Sequence, residues 1–218
     1  MGTDPALGAD AGATVDDPPV ETIRTPRLEL VSMTVAEMQA LQARDMDAAS
    51  REAGALVPLG LAEDLEDFLR YRLAQLDVDP TIRQWLGRLM ILTDEAGQRR
   101  VVGAIGFHGP PDDQGRLEVG YRVEPPYRRR GYARESVQAL FDWAASKHGI
   151  HRFLASISPT NEPSLRLVAG LGFVRTGSHI DEVDGLEIEL EGDWPPTGEP
   201  TDVPMDEPTD SPTDKPAR

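Results

Sequence analysis

The 218-residue sequence predicts an α/β fold of the α+β type, a mixed central sheet of about six to seven strands flanked by about four helices. Three observations carry this. Short alternating apolar runs are separated by turns rich in Gly, Asp and Pro, and longer segments place apolar residues at helical spacing. The stretch 121–147 joins one such run to a helix through a basic glycine turn.

The first strand is expected over 27–32, where Leu28 and Leu30 point to one face. Thr34 then suits an N-cap, and Glu37 three residues on completes a capping box, opening a helix that carries Met38, Leu41 and Met46. The apolar loop 54–60, G-A-L-V-P-L-G, reads as core filler or as a lid over a pocket. A second helix follows over about 61–76, with Leu65, Phe68, Leu69 and Leu73 on one stripe.

Runs at 88–93, 101–108 and 117–123, joined by turns at 94–97 and 109–115, predict an antiparallel meander. The next helix shows Ala133, Val137, Leu140, Phe141 and Ala144 on one face. After a strand at 152–158, Asn161 can cap a short helix with Pro163 in its first turn, ending near 170–172. A hairpin of 173–180 and 186–190 closes the order β-α-α-β-β-β-α-β-α-β-β. Because strands 117–123 and 152–158 are joined by a helix, they are expected to run parallel.

Composition sets limits on function. Cysteine is absent, which excludes disulfides, thiolate metal sites and a cysteine nucleophile and fits a cytoplasmic location. No apolar run is long enough to span a bilayer, and the acidic start lacks the pattern of a secretion signal, so no membrane partner is expected. The formal net charge is −16, of which residues 1–19 and 196–218 contribute −4 each. Such a negative body disfavours nucleic acid and suits a cationic or amine partner. Residues 1–22 read as a disordered arm, 23–195 as the folded domain and 196–218, a loose P-T-D repeat, as a disordered acidic tail. His148 and His151 lie near each other, but no carboxylate stands at a ligand spacing, so no metal is expected.

Against the acidic background, Arg128, Arg129 and Arg130 stand out. They precede Gly131, which lets the main chain approach an anion, and Ala133, which keeps the next turn small. A helix start offers unpaired N–H groups and the positive end of its dipole, so a pyrophosphate fits here.

The run Arg128-Arg129-Arg130-Gly131-Tyr132-Ala133 resembles the [Q/R]-x-x-G-x-[G/A] acyl-CoA motif of the GNAT acetyltransferase superfamily. Residues 161–173, N-E-P-S-L-R-L-V-A-G-L-G-F, are similar to its second signature. The I-S-P at 157–159 and the T-P-R-L-E-L at 25–30 resemble the branch that holds the RimJ/RimL-type acetyltransferases. Two motifs in the right order, over about residues 24–194, are far more specific than either alone.

The resemblance implies a GNAT fold whose splayed parallel strands hold acyl-CoA, with acetyl-CoA as co-substrate and a primary amine as acceptor. By its pattern, main-chain groups of Tyr121, Arg122 and Val123 would meet the pantetheine arm, and Arg128 to Ala133, Tyr132 included, would hold the pyrophosphate. Asn161 and Ser164 would lie beside the pantetheine and the thioester; both residue types also suit a plain helix cap. Dimerisation is common in that family, so a homodimer is admitted.

Glu118, in the cleft-lining strand, is the expected general base, with His108 at a strand end as its rival. Many GNAT enzymes place a Tyr general acid four residues after the Ser164 position, where this chain has Val168. Either Ser164 or a bound water then steadies the departing thiolate, or the chain is an acyl-CoA-binding regulatory module of little activity.

Overall fold

The computed structural model describes residues 19–181 and 185–196. The expected arm and tail therefore fall almost wholly outside the described residues. Eight strands form the sheet, in the order β1-β2-β3-β4-β5-β6-β8-β7, with six α-helices and two short 3-10 turns among the described residues. The chain divides into two compact units: residues up to Pro110 with Tyr121–Ala139, and Pro111–Gly120 with Leu140 onward.

In the first unit β1 (Ile23–Arg24), β2 (Leu28–Ser32), β3 (Arg88–Thr93) and β4 (Arg99–Phe107) pair antiparallel in sequence order. Thr34 caps α1 (Val35–Gln42), its hydroxyl accepting the Glu37 N–H at 3.0 Å. The helix expected to run on through Met46 is instead two. Arg44 adopts a left-handed φ of 56°, and Asp45 caps α2 (Met46–Ala53) by accepting the Ala48 N–H at 2.9 Å. The short acidic side chain offers the backbone a local partner that outcompetes helix continuation.

The second expected helix is likewise split, into α3 (Leu59–Asp64) and α4 (Glu66–Val78). A 3-10 turn over Pro80–Trp85, absent from the sequence expectation, starts where Asp79 accepts the Thr81 N–H. The loop before α3 is a core element: Ala55 and Val57 are buried, and Leu56 exchanges main-chain hydrogen bonds with Arg99 and Val101. The unit's interior gathers Met33, Met38, Leu41, Leu61, Leu69, Leu86 and Leu89, all fully buried.

One close approach fixes the end of β5 (Arg116–Val123) in this unit. A Cβ on Gly103 would stand 2.2 Å from the Arg122 carbonyl oxygen, so β4 can lie this near only with glycine there. The Glu124 N–H continues the pairing by donating to the Val102 carbonyl at 2.9 Å.

The second unit holds the start of β5, β6 (Arg152–Ile157), α6 (Glu162–Ala169), β7 (Val174–Asp181) and β8 (Gly185–Asp193). Its centre is Phe141, from the helix α5 (Tyr132–His148), stacked on Phe153 at 3.8 Å and near Phe173 at 5.9 Å between ring centres. As expected, β5 and β6 are parallel, pairing Arg116 with Arg152, Leu117 with Phe153 and Glu118 with Leu154. That ladder ends at Glu118, whereas β6 pairs with β8 along its whole length.

Candidate active site

The basic turn is shaped by its own backbone. After β5, a 3-10 turn over Pro125–Tyr127 leads to Arg129 and Gly131, whose φ angles of 61° and 83° flank Arg130. Left-handed residues on either side of an ordinary one form a concavity of main-chain N–H groups, a geometry that receives anions. A left-handed arginine is itself a strained choice, of the kind that collects at ligand sites. The 17-residue helix α5 then adds the positive end of its dipole.

The three arginines do not contribute alike. Arg128 Nε donates to the Val123 carbonyl at 2.8 Å, tying the turn to the end of β5. The Arg130 guanidinium lies 5.7 Å from the centre of the Tyr127 ring. All three side chains, and Gly131, are exposed.

A second layer comes from residues that sequence spacing does not mark as site residues. Glu135, in the first turn of α5, accepts from the Thr25 hydroxyl at 2.6 Å, the Arg27 N–H at 2.9 Å and Arg27 Nε at 2.6 Å. Partial burial works against its charge, but the hydrogen bonds from Thr25 and Arg27 prevail and hold its carboxyl below the usual range. The fragment T-P-R was legible as a family-like start; its partner 108 residues away was not.

Glu118 belongs to the other unit. Along β5, Leu117 and Val119 are buried while Arg116, Glu118 and Gly120 share the half-buried face. Glu118 therefore sits at the last rung of the parallel ladder, where β5 and β6 cease to pair. Asn161 and Ser164 are in the same unit: Asn161 caps α6, its side-chain oxygen accepting the Ser164 N–H at 3.3 Å, with Pro163 in the first turn. Ser164 itself is half-buried. Val168 is fully buried, and its carbonyl receives the Phe173 N–H at 3.1 Å. Packing thus accounts for an apolar residue at 168.

The expected site residues accordingly fall into two groups. Tyr121, Arg122, Val123 and the 128–133 turn lie in the first unit, and Glu118, Asn161 and Ser164 in the second. His108, the rival base, is exposed at the end of β4, and its carbonyl accepts from Arg72 at 2.6 Å. Among the described residues no group of His, Asp or Glu is placed to hold a metal ion.

The Acetyltransferase (GNAT) domain family matches residues 27–174, well over half of the chain. The chain belongs to the GNAT acetyltransferase family. Its GNAT domain is thus an acyltransferase domain whose co-substrate is acetyl-CoA.

Among curated relatives it is 27% identical over 158 residues to the uncharacterized N-acetyltransferase p20 of Bacillus licheniformis, covering 72% of this chain and 85% of that one. Three Bacillus subtilis relatives match over shorter stretches, and the chain spans 35–45% of their lengths. Among solved structures, a putative GNAT-family acetyltransferase from Bordetella pertussis superposes with a TM-score of 0.54 at 26% identity, covering 78% of this chain and 98% of that one. RimL, a ribosomal L7/L12 α-N-protein acetyltransferase in complex with coenzyme A, has the same fold at 15% identity, with a TM-score of 0.56 over 80% of this chain and 99% of its own. No described helix is long and apolar enough to cross a membrane.

Proposed function

We propose that this GNAT domain transfers the acetyl group of acetyl-CoA to a primary amine, that of a protein N-terminus or of an amine-bearing small molecule, by direct attack on the thioester. The observation that carries this reading is Glu118, a half-buried carboxylate on the last rung of the β5–β6 ladder. In this reading the 128–133 turn binds the pyrophosphate and main-chain groups of Tyr121 to Val123 meet the pantetheine arm. Asn161 and Ser164 flank the thioester.

The amine nitrogen attacks the carbonyl carbon, the carbon–sulfur bond breaks, and the thiolate takes up a proton. Glu118 accepts the proton that the amine loses, directly or through water. A lysine-like amine with a pKa near ~10.4 is almost wholly charged at neutral pH, whereas an α-amine near ~7.7–8.0 needs far less help. That difference, together with RimL's action on an α-amine, favours a protein N-terminus within the proposed class. Ser164 or a bound water would steady the thiolate, since Val168 is in the core. The cysteine-free composition suits work in the cytoplasm.

Thiol release from acetyl-CoA, measured with peptides of varied N-terminus, polyamines, aminoglycosides and amino acids, tests the reading. Turnover on α-amine peptides supports it. Tight acetyl-CoA binding with no turnover on any of these amines favours the second reading, a regulatory acyl-CoA-binding module. Sedimentation of the full chain decides between a monomer and the homodimer common in the family.

A further inference from the structure

We propose that Arg27 is a positioning residue for the donor: held by Glu135, it fixes the peptide between Arg130 and Gly131 so that the turn can receive a diphosphate. The inference rests on the reading of that turn as the pyrophosphate site.

The geometry is specific. Arg27 spreads its guanidinium over two different partners, with Nε and Nη2 both 2.6 Å from Glu135 Oε2 and Nη1 2.9 Å from the Arg130 carbonyl oxygen. The same group lies 4.6 Å from the centre of the Tyr132 ring. A trans peptide is planar, so its C=O and its N–H point in opposite directions. By holding the Arg130 carbonyl on its own side, Arg27 turns the Gly131 N–H away from itself. A Cβ on Gly131 would come within 3.3 Å of Arg27 Nη2, and the φ of 83° already favours glycine.

The charge arrangement points the same way. A carboxylate in the first turn of α5 would repel a diphosphate, and Glu135 occupies that position. Arg27, with the Thr25 hydroxyl and its own N–H, occupies both oxygens of Glu135 and offsets the repulsion. Lysine cannot do both tasks, because a single ammonium lacks the planar fork that reaches a carboxylate and a carbonyl at once.

The test compares binding of coenzyme A with binding of pantetheine, which lacks the diphosphate, in the full-length protein and its Arg27→Ala and Arg27→Lys variants. The wild type is expected to prefer coenzyme A strongly. Arg27→Ala should weaken coenzyme A by about tenfold or more while leaving pantetheine within about twofold. Arg27→Lys should recover thermal stability but not the preference. A wild type that binds both ligands equally overturns the pyrophosphate reading itself. A wild type that discriminates, with a preference unchanged in Arg27→Ala or fully restored by Arg27→Lys, overturns the positioning role alone. If Arg27→Ala does not fold, Arg27→Lys decides, since it keeps the charge and loses the fork.

Discussion

The two compact units differ in what they bury and in how each begins a helix. The first encloses ionisable side chains: Glu37, Arg72, Arg83 and Arg88 are all at most 5% exposed. The second is centred on the Phe141, Phe153 and Phe173 rings. The same contrast recurs at the two helix starts. The turn before α5 is clamped by Arg27 from the far end of the chain, whereas α6 is capped by Asn161 three residues from its partner. A helix start held by a remote ion pair should respond to pH and to distant substitutions, and one held by a local cap should not.

Glu37 gives the largest expected effect. Burial, joined by a smaller push from nearby Glu52, raises its carboxyl to about 8 against one hydrogen bond from the Thr34 N–H. In the unfolded chain the group ionises near 4.5, so the folded state holds an extra proton between these values. The contribution of Glu37 to stability is therefore fullest below pH 4.5 and falls as pH rises toward 8, by up to about 5 kcal/mol. Glu37→Gln should flatten that slope in denaturant titrations from pH 5 to 8. An unchanged slope would show that the buried Glu37 carboxyl is not the source of the pH dependence.

Phe141→Ala comes next, with a loss of about 3–5 kcal/mol that does not vary with pH, measured in the same titrations. A pH-dependent loss would blur the distinction between the units. Arg128→Ala should then weaken acetyl-CoA about threefold to tenfold by calorimetry, since it removes one exposed charge and the tie to Val123. Asn161→Ala, which removes a local cap, should cost about 1 kcal/mol of stability in thermal melts.

What was legible in the sequence follows the same division. The caps at Thr34 and Asn161 could be read because donor and acceptor lie three residues apart, and the parallel β5–β6 pair followed from one helical crossover. The breaks at Arg44–Asp45 and at Leu65 were hidden, because apolar spacing runs through both while a local cap or turn interrupts the helix. The glycine turn into α5 was legible, but the role of Gly103 and the Arg27–Glu135 contact were not. Both depend on which strands and helix ends meet in space, which local spacing does not encode.

The most direct test of the proposed chemistry is the turnover of Glu118→Gln beside its affinity for acetyl-CoA. The substitution keeps shape and hydrogen bonding while removing the base. The account predicts a fall in kcat of about 100-fold or more, with acetyl-CoA affinity within about twofold of wild type. Unchanged turnover across the pH range would contradict it and take the base role away from Glu118.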